Sequence, residues 1–114
     1  MKSTKDNIIL IGMPGSGKST VGVILAKLLG KSFIDSDIVI QQTTGKLLSE
    51  IIEDEGVDGF IAVEGQINRS IADRNAVIAT GGSAVMNREA MEYFRENGVI
   101  VYLYVNYGDL AGRL

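Results

Sequence analysis

Lys18 and Ser19 close the octapeptide Gly12-Met13-Pro14-Gly15-Ser16-Gly17-Lys18-Ser19, which satisfies the spacing G-x-x-x-x-G-K-[ST]. A cation, a hydroxyl and unhindered backbone amides at that spacing are suited to gripping a polyphosphate. Gly15 and Gly17 permit backbone angles denied to other residues, so successive N–H groups can converge on one phosphate. A helix starting at Lys18 would turn its positive end toward the same anion. Lys18 then places its charge between the β- and γ-phosphates, and the Ser19 hydroxyl is a hard oxygen ligand for Mg²⁺. The expected ATP-binding set is Gly12, Gly15, Ser16, Gly17, Lys18, Ser19 and Thr20, with Mg²⁺ as cofactor. The plain alternative, a glycine turn with a solvated lysine, does not account for a strand-like run before the loop and a helical pattern after it.

The rest of the composition narrows the chemistry. The 114 residues include no Cys and no His, which removes disulfides, thiol nucleophiles, histidine triads and most zinc sites. A net charge of −3 without a basic cluster argues against nucleic acid and anionic membrane as partners. No apolar run approaches the length needed to span a bilayer, and the first residues lack the long apolar stretch of an export signal. The expectation is a cytoplasmic protein, monomeric, acting on a small molecule. At 46% apolar residues the chain can bury one core, so residues 1–114 read as a single domain.

The elements that must position the loop follow from periodicity. Residues 7–11 (N-I-I-L-I) form a short apolar, β-branched run that stops at Gly12, as a buried parallel strand does. Val21, Ile24, Leu25, Leu28 and Leu29 recur at helical spacing over residues 18–29, with Gly30 placed to cap the end. Residues 32–35 read as a second strand, and residues 46–53 as an amphipathic helix. Asp58 is placed to cap a further helix over residues 59–73, with Phe60, Val63, Ile67 and Ile71 on one stripe. Residues 76–80 form a third strand running into Gly81-Gly82, a helix starts at Asn87 and ends at Asn97-Gly98, and residues 99–105 form a fourth strand. Strands alternating with helices require a parallel sheet covered on both faces.

With these residues in place, the chain resembles the shikimate kinases, from I-I-L-I-G-M-P-G-S-G-K-S-T-V-G through F-I-D-S-D and A-T-G-G to D-L-A-G-R. The resemblance implies an α/β, three-layer P-loop kinase fold and transfer of the ATP γ-phosphate to the 3-hydroxyl of shikimate. It implies that Asp35 holds the hydration shell of Mg²⁺ and that Asp37 binds the acceptor's hydroxyls and orients or deprotonates the attacking one. A carboxylate suits that duty, since it accepts two hydrogen bonds from a diol and can take its proton; as a bare tripeptide, Asp-Ser-Asp is also ordinary turn chemistry. Gly81 and Gly82 resemble the stretch lining the acceptor and γ-phosphate, with Ser83 where a third glycine is usual. Arg113 matches an arginine that packs on adenine, a reasonable use of a flat cation.

Two departures qualify that reading. The family pattern F-R-x-x-E appears as Phe60-Ile61-Ala62-Val63-Glu64, so Ile61 stands where an arginine would clamp the substrate carboxylate. Losing such a charge-assisted pair from a buried site costs about 2–5 kcal/mol. Arg69 lies two turns on, roughly 12 Å along the axis, too far to substitute. Glu64, deprived of that arginine, is either a solvated helical side chain or a group with another polar duty. The resemblance also implies a lid, further arginines and a fifth strand beyond Leu114, so the domain reads as incomplete at its C-terminus. The fourth strand agrees, because its run lacks alternation and would lie exposed at a sheet edge. Such a chain is expected to bind nucleotide weakly and to phosphorylate shikimate poorly or not at all. Two other readings stay open: a kinase of another polyol, for which Ile61 is sensible, and a degenerate, non-catalytic ATP-binding module.

Overall fold

The computed structural model describes residues 6–12 and 16–104. In chain order the elements are β1 (Asn7–Gly12), α1 (Lys18–Leu29), β2 (Ser32–Asp35), α2 (Ser36–Thr44), α3 (Leu48–Ser70), β3 (Ala76–Ala79), a 3-10 turn (Ala84–Met86), α4 (Arg88–Asn97) and β4 (Gly98–Leu103). The strands form one parallel sheet in the order β2-β3-β1-β4. Alternate residues of β1 feed opposite faces. Ile9 and Ile11 pack with Ala76, Ile78, Ile71 and Phe94, while Leu10 packs with Val77 and Ala26 of α1. Ile40, Ile51, Phe60 and Ile67 join α2 to α3 in a third cluster.

The strand register decides where the chemistry gathers. Leu10, Ala79 and Asp35 lie in one row across the sheet, and Gly12 pairs with Leu103. The segments leaving β1, β2 and β3 therefore emerge side by side at the carboxyl edge, the usual ligand edge of open α/β sheets. Gly12 has φ 151°, and a Cβ there would stand 2.5 Å from the Leu103 carbonyl oxygen, so no other residue fits between these strands.

Several expectations need correction. Helix α2 was not foreseen: Val39, Ile40, Thr43 and Thr44 are modest helix formers, and the signal lay in the caps. Asp35 Oδ1 accepts from the Asp37 and Ile38 N–H groups at 3.0 and 3.4 Å, and Gly45 ends the helix in the left-handed region. The helices expected over 46–53 and 59–73 form one span, α3, interrupted only at Gly56 (φ 76°, ψ 175°). Its start is set by Leu47, whose N–H donates to Glu50 Oε1 at 2.9 Å, and Asp58 makes no capping hydrogen bond among the described residues. The span ends at Ser70, three residues early, although Phe60, Ile67 and Ile71 are buried as the stripe requires.

Helix α1 lies on the sheet through small residues. Gly22 sits so close to Phe33 that a Cβ would be 2.5 Å from the ring, and Ala26 is buried, whereas Ile24, Leu28 and Leu29 face outward, Leu28 at 77% exposure. Strand β4 runs only to Leu103; Tyr104 lies outside it, and Val105 lies outside the described residues. Among the described residues it is the sheet edge beside β1, with Val99, Val101 and Tyr102 exposed.

Candidate functional site

A cleft of about 390 Å³ opens at the carboxyl edge, lined by Gly17, Lys18, Ser19, Thr20, Asp35, Asp37, Thr80, Gly81 and Gly82. Its floor follows from α1 and its cap. Gly17 takes the left-handed conformation (φ 85°, ψ 20°) as N-cap, and the first turn, Lys18 to Thr20, lines the cleft. Lys18 is buried, and its Nζ donates to the Gly12 carbonyl oxygen at 2.8 Å and to Ser16 Oγ at 3.5 Å. Burial holds its pKa below the usual lysine range, and the charge of Asp37 opposes that shift.

One wall is built by the β2–α2 junction. Ser19 Oγ donates to Asp35 Oδ2 at 3.1 Å, while Asp35 Oδ1 caps α2. Asp35 therefore faces both ways, one oxygen ordering the helix and the other turned to the phosphate loop. Asp37, one residue into the capped turn, has its pKa raised by burial and then by the Asp35 carboxylate, with Lys18 pulling the other way.

The opposite wall follows β3. Thr80 is buried and binds the Leu10 carbonyl oxygen through both its N–H (3.1 Å) and its Oγ1 (2.9 Å), which fixes the point where Gly81-Gly82 begins. Two carboxyl groups crowd the space beside Gly81, since a Cβ there would stand 2.7 Å from Asp37 Oδ1 and 2.7 Å from Glu64 Oε2. Glu64 is fully buried, which corrects the solvated reading. Its Oε1 accepts from Ser83 Oγ at 2.7 Å, and its Oε2 has no hydrogen-bond partner among the described residues. Burial raises the Glu64 pKa, the Ser83 hydrogen bond lowers it, and Asp37 raises it. Ile61, half-buried, lies one helical turn before it.

The structure thus brings together Gly17, Lys18, Ser19, Thr20, Asp35, Asp37, Gly81 and Gly82 around one cleft, with Gly12 and Ser16 bonded to Lys18 beneath it. Gly15 and Arg113 lie outside the described residues. Sequence reasoning missed Thr80 and the Glu64–Ser83 pair. Thr80 was visible as a hydroxyl at a strand end, but a sequence separation of 19 conceals the contact of Glu64 with Ser83.

A family model for shikimate kinase matches residues 14–114. The chain belongs to the shikimate kinase family. A shikimate kinase of Nitrosomonas europaea is 46% identical over 112 residues, 97% of this chain and 53% of that protein. Shikimate kinase 2 of Sodalis glossinidius is 39% identical over 108 residues, 95% of this chain and 62% of that protein. Among solved structures, shikimate kinase from Acinetobacter baumannii in complex with shikimate superimposes with a TM-score of 0.86 at 38% identity, covering 97% of this chain and 63% of that one. A gluconokinase from Sinorhizobium meliloti is similar at a TM-score of 0.60 and 26% identity. The chain thus spans between about half and two thirds of the length of these shikimate kinases. The α/β fold with a central parallel sheet, expected from the sequence, is the fold of this family.

Proposed function

We propose that the chain forms the nucleotide- and acceptor-binding core of an enzyme that moves the γ-phosphoryl group of ATP to the 3-hydroxyl of shikimate. The observation that carries the reading is the convergence, at one sheet edge, of Lys18, the Ser19–Asp35 pair and the Asp37–Gly81 wall around a single cleft. In this reading Gly12 and residues 15–20 cradle the triphosphate, Lys18 neutralises charge as ADP departs, and Asp37 holds the acceptor hydroxyl and takes its proton. Burial makes Asp37 a stronger base than a free aspartate, which suits that step. Gly81 and Gly82 leave the approach to the γ-phosphoryl group unobstructed, and Arg113 packs on the adenine.

A divalent cation fits the remaining wall. Ser19 Oγ and Asp35 Oδ2, 3.1 Å apart, offer two hard oxygens to the cleft, as Mg²⁺ prefers, with its other positions left to water and phosphate. Ser19 and Asp35 would hold the cation, which would supply positive charge against that of the phosphates. A cytoplasmic, monomeric enzyme completes the reading; among the described residues no helix is long and apolar enough to cross a membrane.

A coupled assay of ADP release tests it: ATP consumption dependent on shikimate and Mg²⁺, and lost in Lys18→Ala, is the expected result. Nucleotide binding in calorimetry without phosphoryl transfer would instead support the non-catalytic module. A second reading, transfer to a polyol lacking a carboxylate, is favoured by Ile61 beside Glu64. Faster turnover of neutral cyclitols or of shikimate methyl ester than of shikimate would decide for it.

A further inference from the structure

Ser83 has no part in the transfer chemistry above. It precedes the turn Ala84–Met86, is half-buried, and lies outside the lining of the cleft. Yet its hydroxyl makes the hydrogen bond that holds Glu64, at 2.7 Å to Oε1. The other oxygen of that fully buried carboxyl has no partner among the described residues and is directed at Gly81. Asp37 Oδ1 approaches the same place equally closely, so carboxyl oxygens from α3 and α2 meet on the one side of Gly81 where a side chain would stand. The terminal torsion of a glutamate is broad, so a carboxyl with one free oxygen takes its orientation from its one bonded oxygen. Losing the Ser83 donor would let the Glu64 carboxyl turn within the space beside Gly81 that it shares with Asp37, and displace both.

We propose that Ser83 is a positioning residue for the phosphate acceptor: by fixing the Glu64 carboxyl it sets the spacing between the Gly81 main chain and Asp37, and so the place where a hydroxyl of a small polyol is held. The inference deepens the proposed function and rests on its assignment of Asp37 to the acceptor. The ligand class that suits this end of the cleft is one presenting hydroxyl donors. Asp37 and Glu64 offer accepting oxygens there, and the cation facing Asp37, Lys18, is held by the Gly12 carbonyl oxygen. If Ser83 only tied α3 to the turn, its loss would lower stability and leave acceptor recognition alone.

Steady-state kinetics on Ser83→Ala separates these roles. The KM for shikimate rises about tenfold while that for ATP stays within about twofold, and Ser83→Thr, which keeps the donor, restores the acceptor value. Carbon-13 titration of the side-chain carboxyls, with no acceptor present, gives a second readout. In Ser83→Ala the Glu64 midpoint moves upward, because a donor to its ionised form is gone, and the Asp37 signal moves with it. Equal rises in both KM values together with a lower melting temperature, or an Asp37 signal indifferent to the substitution, overturn the proposal. Should Ser83→Ala fail to fold, Ser83→Cys, a weaker donor of similar volume, takes its place under the same criteria. A wild-type protein that turns over no shikimate overturns the proposed function instead, and the carboxyl titration then decides the role of Ser83 alone.

Discussion

The two sides of the cleft are built on opposite terms. On the phosphate-loop side every charged group has an assigned partner: Lys18 is held by Gly12 and Ser16, and Asp35 divides its oxygens between Ser19 and the α2 amides. On the far side Glu64 Oε2 is buried without a hydrogen bond among the described residues. Buried polar atoms normally find partners, so unmet ones mark a place where stability has been traded against something else. The nucleotide side is pre-organised by contacts within twenty-odd residues of sequence. The acceptor side is assembled from α2, α3 and the β3 turn, and its carboxyls crowd one glycine.

The sharpest way to break the comparison is Lys18→Ala, which removes the loop's cation; phosphoryl transfer falls by roughly 10³ or more in the coupled assay while the melting temperature changes little. A mild loss would mean that charge on this side is not organised around Lys18. Next, Gly81→Ala inserts a methyl group 2.7 Å from two carboxyl oxygens. Overpacking of this kind costs about 1–3 kcal/mol, measurable by urea unfolding, and displaces Asp37 enough to lower kcat/KM about a hundredfold. Wild-type stability and activity in this variant would show that the two carboxyls have room to part.

Proton linkage distinguishes the sides more finely. Glu64 and Asp37 titrate above their ordinary 4.5 and 3.8, so in the window between those values and the raised ones the folded chain binds more protons than the unfolded. Their contribution is therefore fully favourable below the ordinary values and is lost as pH rises through the raised ones. Melting temperatures of Glu64→Gln, followed from pH 4 upward, are expected to decline less than those of the wild type; parallel curves would mean Glu64 is not strained by ionisation. The smallest effect belongs to neither side. The Arg69–Glu89 pair, 2.9 Å apart but solvent-exposed, should contribute under about 0.5 kcal/mol on Glu89→Ala.

How much was legible beforehand depended on sequence distance. Helix α1, strands β1 to β3 and α4 follow from local periodicity and caps, and their observed limits fall within a residue or two of the expected ones. Helix α2 was hidden because its apolar residues are few and β-branched, and because Asp35, its cap, invited a catalytic reading that obscured its structural one. The stripe on α1 holds only in part: Gly22 and Ala26 bring the helix down on Phe33 and Leu10, Val21 and Leu25 pack beside them, and Ile24, Leu28 and Leu29 turn outward.

The phosphate loop, the parallel α/β order and the absence of thiol or imidazole chemistry were set by residue types and short spacings, because a strand, a glycine loop and a helix N-terminus act through neighbours along the chain. That Glu64 is buried and bonded to Ser83, why a side chain at position 81 is crowded out, and that Thr80 fixes the end of β3 were decided only in three dimensions. Burial and the meeting of α2, α3 and β3 turn a glutamate that a helical pattern leaves ambiguous into a carboxyl removed from water and pressed toward another.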